Sequence, residues 1–326
     1  MSCSQGAMAK LLVEPGSSSY TFDDSSERYD FLYEDIKKEG RLIGGRGITG
    51  TRSRYANTMR QGHYQVGGRL GMYASAGDLD LWLPRILGDD SSAGTGTGTS
   101  TVYEPTDALS GANVDFGMLI DRVGGIFQYS DCLVNSAFFR GRAGPGNQEP
   151  EVIEQVLNIM ALDEALGTSW PDPAPSLSVA ANRSPYVMGD CTLTIDSTTY
   201  QIKAFVLLFD NRLQPRWVNS LAPVELCPRD RIVMLRVQLP FTASSDAVFS
   251  GLYQHSSRHD GVSAELEFAI SGSDLSTTFS FEGLQWVQQS PEVKGKQEIE
   301  LPIDFVARKT SVSTPEVSVD NDSVSS

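Results

Sequence analysis

Alternation of apolar and polar residues with a period of two runs through much of the chain. Val262, Ala264, Leu266, Phe268 and Ile270 fall on one side of an extended segment, with Ser263, Glu265 and Glu267 on the other. That is the signature of a half-buried strand. Val233, Leu235, Val237 and Leu239 alternate in the same way with Arg236 and Gln238, and Ile299, Leu301, Ile303 and Phe305 alternate with Glu298, Glu300 and Asp304. Such segments predict antiparallel sheets with one face on a core. Helical periodicity is scarce. The best candidate is Asp78 to Ile86, where Leu79, Trp82, Leu83 and Ile86 form one stripe, Asp78 stands as the N-cap and Pro84 limits the length. Asp246 to Tyr253 repeats part of that stripe through Val248, Phe249 and Leu252.

The pattern also repeats over a long range. A shift of 169 residues lays Arg60 to Leu83 on Arg229 to Leu252 without gaps, pairing Val66 with Leu235, Leu70 with Leu239 and Met72 with Phe241. Ile153 to Ala161 lies over Ile299 to Ala307, and Phe127-Gln128-Tyr129 answers Phe279-Ser280-Phe281. The blocks keep their order, which predicts a tandem duplication whose period is too long for a solenoid unit, so each copy is expected to be a domain. The expected organisation is a flexible arm over 1–19, a first domain over 20–172, a second over 173–310 and a disordered tail over 311–326. The tail is a Ser/Val/Asp run poor in large apolar groups, too poor to offset its ordering entropy. Gly88 to Thr101 reads as a flexible loop, and Trp170 to Pro175 as the linker.

At 326 residues, 40% of them hydrophobic, the chain can bury two cores of ~130 to 150 residues each. A net charge of −15 argues against a surface that coats nucleic acid or an anionic membrane. Cys3, Cys132, Cys191 and Cys227 are scattered without metal or disulfide spacing, as suits a reducing cytoplasm. No signal peptide opens the chain and no run of about 18 apolar residues occurs, so neither export nor a membrane span is expected. Chemistry is thin. His255 and His259 are four apart but lack the glutamate of an HExxH site, and a surface loop explains them better. Gly45, Gly47 and Gly50 spell GxGxxG without the helix or the downstream acid of a dinucleotide site. No catalytic, metal or cofactor site is expected. One segment asks for a use: Gly40 to Arg60 concentrates Arg41, Arg46, Arg52, Arg54 and Arg60 in an acidic chain, so it can dock on an acidic neighbour, or it is an ordinary mobile loop.

At this point a family likeness emerges. Gly50-Thr51-Arg52-Ser53-Arg54, Gly62 to Gly68 and Asp78 to Leu87 resemble the first half of tail tube proteins of long-tailed, siphovirus-type bacteriophages. The second half resembles them more closely, through Ala174 to Ser178, Phe209-Asp210-Asn211-Arg212-Leu213, Asn219-Ser220-Leu221 and Ser290 to Lys296 running into Ile299 to Lys309. The resemblance covers about residues 30 to 310. It implies a mainly β protein of two tandem antiparallel β-sandwich or barrel-like tube domains, each with a short helix, stacked as rings into a conduit for genome ejection. It also implies a virion location after assembly in the host cytoplasm, with the tape measure protein and tail terminator as further partners. Six domains per ring predict a homotrimer with pseudo-sixfold symmetry. Arg46, Arg52, Arg54 and Arg60 are then expected between rings. Glu154, Glu265, Glu267, Glu298, Glu300 and Asp304 are expected along the bore, where acidic faces let DNA pass without sticking. A tail terminator, a secretion-tube subunit, or a carbohydrate-binding or enzymatic β-sandwich remain as alternatives.

Overall fold

The computed structural model describes residues 6–16, 20–23, 26–44, 59–89, 100–111, 113–144, 151–167, 169–171, 181–240, 252, 255, 257–287 and 299–323. The first half contains β1 (Lys10–Pro15), β2 (Glu27–Tyr29), β3 (Tyr33–Glu34), β4 (Lys37–Gly44), β5 (Met59–Tyr73), α1 (Ala76–Leu87), β6 (Ser100–Tyr103), β7 (Phe116–Asp121), β8 (Ile126–Arg142), β9 (Glu154–Ala161) and β10 (Asp163–Leu166). The second contains β11 (Cys191–Ile195), β12 (Thr198–Tyr200), β13 (Ala204–Asp210), β14 (Gln214–Arg216), β15 (Glu225–Cys227), β16 (Ile232–Pro240), β17 (Val262–Ala269), β18 (Ser276–Trp286), β19 (Glu300–Ala307) and β20 (Ser318–Asp322). The fold is mainly β, as the alternation predicts. Eighteen strands join through one network of antiparallel ladders, and β14 and β15 form a separate ribbon.

A central sheet runs β4-β5-β9-β8-β13-β16-β19-β18. Its ladder registers decide which residues face the core. One row of directly opposed residues crosses seven strands as Met72, Gln155, Phe139, Leu207, Leu235, Phe305 and Trp286. All seven are buried. A row on the opposite, solvent side reads Tyr73, Glu154, Arg140, Val206, Arg236 and Asp304. The period of two thus sorts core from surface across the sheet.

A second layer covers the core face. β11 pairs with β17, β17 with β18, the first part of β18 with β20, and β20 with β6. Phe268 and Phe279 point from this layer into the central sheet, with ring centroids 5.5 Å from Phe205 and Phe139 respectively. Tilted aromatic contacts of this kind add to the burial term. Over the first half, β1 and β7 pair with each other and β7 with β8, while Trp82 of α1 stands edge-on to Phe116 at 5.7 Å. One buried apolar cluster runs through both halves, and the β8–β13 ladder stitches them together over seven residue pairs.

Helix α1 lies where the pattern predicts, but Ser75, not Asp78, is its N-cap. The Ser75 side chain accepts from the Asp78 N–H at 3.2 Å and donates to Asp78 Oδ2 at 2.7 Å, which leaves Asp78 in the first turn where the dipole favours a carboxylate. Gly88 closes the helix at φ 81°, a left-handed conformation natural to glycine. Of the counterpart helix expected over Asp246 to Tyr253, only Leu252 is among the described residues, and it is buried.

Both terminal expectations need correction. The arm expected over 1–19 includes β1, whose Leu11, Leu12 and Val13 are buried between β2 and β7. The tail expected to be disordered includes β20, laddered to β18 and β6. Bulk hydrophobicity misjudged the tail because spacing matters more than content. Val317, Val319 and Asn321 share one face and all are 0% exposed. Ser100 and Thr101, expected in the Gly88 to Thr101 loop, belong to β6.

The ladders of the two halves also match. A shift of 169 residues carries Lys37↔Gly67, Lys38↔Val66, Glu39↔Gln65 and Gly40↔Tyr64 of β4–β5 onto Val206↔Arg236, Leu207↔Leu235, Leu208↔Met234 and Phe209↔Val233 of β13–β16. The strand order β5-β9-β8 recurs as β16-β19-β18. Phe116↔Cys132, the last pair of β7 with β8, corresponds to Val262↔Leu284, the last pair of β17 with β18.

Candidate assembly surfaces

The solvent face of the central sheet gathers several of the acidic residues read from the sequence, and most of these meet a cation. Glu154 on β9 is 6% exposed. Arg140 on β8 donates to its Oε2 through Nε at 2.9 Å and through a terminal nitrogen at 2.7 Å, while the Tyr33 hydroxyl donates to Oε1 at 3.1 Å. Burial, followed by the Glu154 charge, raises the Tyr33 hydroxyl above its ordinary range. Asp304 on β19 receives two hydrogen bonds from Arg236 on β16, at 2.5 and 3.1 Å. Glu300 is 2.7 Å from the Lys203 ammonium. For Glu154 and Asp304 the cause is positional: opposite charges on adjacent strands directly across a ladder lie within reach of one another.

Glu265 and Glu267 on β17 stand apart from these pairs. They alternate with buried Ala264, Leu266 and Phe268, and face Thr194 and Thr192 on β11 and Ser280 and Thr278 on β18. Among the described residues neither has an ion-pair partner. Glu298 lies outside the described residues.

Of the arginine segment, Arg46, Arg52 and Arg54 lie outside the described residues, as does the Gly45 to Gly50 motif. Arg60 is exposed on β5, opposite Ile43 of β4. Every residue of β4 is exposed, with Leu42 at 69% and Ile43 at 48%. Among the described residues its one ladder is with β5, and no other described strand pairs with its far edge. KKEGRLIG carries little sign of this in its pattern, because it has no clean alternation.

Three polar residues of the second half that the sequence did not single out hold α1, Asn211 and Asn321 buried and Arg231 partly so. Asn211 donates to the Ile86 carbonyl at 2.9 Å and to that of Val134 at 3.0 Å. Arg231 donates to the Leu87 carbonyl at 3.1 Å and to Thr106 at 2.6 Å, beside Glu316 at 3.3 Å. Burial pulls this guanidinium below its ordinary range, and Glu316 opposes the shift. At the other end of the helix, Asn321 donates to the Ala76 carbonyl at 3.0 Å and to Asp80 Oδ1 at 2.7 Å. The signal was faint: Asn211 and Arg231 only flank the apolar strands β13 and β16, and Asn321 takes an inward position of the otherwise polar β20.

The β14–β15 ribbon region also bridges the halves. Trp217 donates through its ring N–H to the Tyr64 carbonyl at 3.2 Å, and the Tyr64 N–H donates to the Leu221 carbonyl at 3.0 Å. Among the described residues no three His, Cys, Asp or Glu side chains converge to hold a metal. His255 contacts Asp196 at 3.2 Å and lies over the Trp286 ring. No helix of the described residues is long and apolar enough to cross a membrane.

Charged pairs on an open sheet face, an unpaired edge strand and a continuous β core define a structural β protein built for association. The family model of the phage tail tube protein matches residues 15–307, and the chain belongs to that family. It is therefore a structural protein of the virion tail, of a kind that self-assembles into stacked tube rings. No curated protein matches the chain.

Proposed function

We propose that this chain is the main tube subunit of a long, siphovirus-type tail and carries the tube domain twice. The observation that carries the reading is the agreement of ladder register between β4–β5 and β13–β16 at one fixed separation. An insertion or deletion in either hairpin would break that agreement, so convergence on a common fold accounts for it poorly. Two domains per chain make a ring of six domains from three chains, a homotrimer with a pseudo-sixfold wall. Assembly takes place in the host cytoplasm around the tape measure protein and ends at the tail terminator.

The solvent face of the central sheet is our choice for the bore. Glu154, Glu300 and Asp304 then line it as carboxylates compensated by Arg140, Lys203 and Arg236, while Glu265 and Glu267, which alternate with the core residues of the second layer, face the other side of the sandwich. Cations already engaged by carboxylates offer a passing phosphate few chances to displace its counterions, so DNA slides without being held. Arg46, Arg52, Arg54 and Arg60 are assigned to the joint between successive rings. The test is a cryo-microscopy reconstruction of assembled tails. Three chains per ring with this face toward the lumen is the expected result, and six chains per ring would refute the trimer.

A further inference from the structure

We draw no further inference here: the strongest candidate, the row of apolar side chains Val156, Phe138, Leu208, Met234 and Val306 that crosses the solvent face of the central sheet from β9 to β19, lies on the face already assigned to the bore, and nothing in the structure shows what covers it.

Discussion

Replacing Asn321 by alanine tests whether the C-terminal strand is structural. Its amide nitrogen donates to the Ala76 carbonyl and to Asp80 Oδ1, and its oxygen accepts from the Thr277 hydroxyl at 2.6 Å. Asp80 keeps the Tyr103 hydroxyl at 3.1 Å and Thr277 keeps Tyr186 at 2.9 Å, so no group is left wholly without a partner. Two neutral hydrogen bonds at ~1 kcal/mol each and one to a carboxylate at ~1.5–3 kcal/mol, less some relaxation, give a loss of about 2–4 kcal/mol. Unfolding entropy of about 2.1 cal/mol/K per residue then converts this into a fall in Tm of roughly 3–6 °C for a chain of this length. The assay is a circular dichroism melt at neutral pH. Asn321→Asp should be worse at neutral pH, because a second carboxylate would stand beside Asp80. It should recover as the pH falls, once the pair can share a proton. If Asn321→Ala melts within about 1 °C of the unmodified chain, the strand is not held as described and the reasoning fails.

Four further outcomes are expected. Because one buried cluster spans both halves, fluorescence from Trp82 and from Trp286, each made the sole tryptophan by replacing the other three with Phe, should report the same melting temperature; separate transitions would show independent domains. A Cβ at Gly68 would fall 2.5 Å from the Asp35 carbonyl oxygen and the Ile36 Cα, so Gly68→Val should cost roughly 3 kcal/mol or more, read as a shifted denaturant midpoint. The hydrogen bonds from Arg69 hold the Asp35 carboxyl below the usual carboxylate range, so the pair stabilises above that range and its contribution fades as pH falls through the depressed value; stability curves of the unmodified chain and Arg69→Ala should differ at neutral pH and converge in acid. With the solvent face of the central sheet toward the bore, Glu300→Lys with Asp304→Lys removes the carboxylates that engage Lys203 and Arg236 and should slow genome delivery at low salt and recover at high salt, and delivery unchanged at every salt concentration would remove the electrostatic argument.

The sequence made the fold class legible wherever alternation was clean. β16, β17 and β19 lie within a residue or two of the segments that Val233, Val262 and Ile299 begin. It was less informative about the ends, because β20 depends on three small residues in register rather than on bulk hydrophobicity. The candidate bore residues were legible as an alternating polar face, but their neutralisation was not. Arg140 is paired with Glu154 by a ladder between β8 and β9, and Arg236 with Asp304 by one between β16 and β19. Linear order does not give such cross-strand neighbours until the register is known. Nor did composition suggest that the halves would share a sheet, since the β8–β13 joint depends on two edges meeting across a linker.

The polar clasps on α1 impose an order in time. The carbonyls of Ile86 and Leu87 are satisfied by Asn211 and Arg231, and the start of the helix by Asn321. A ribosome adding ~5–20 residues per second reaches Asn321 roughly ten to fifty seconds after Leu87. Throughout that interval the helix made first lacks the groups made last. A nascent chain therefore gains the last of these bonds only once Asn321 has emerged, and a fragment ending between the halves lacks all of them. The last strand made thus completes a helix that was formed first, and a product truncated before Asn321 carries α1 without those bonds.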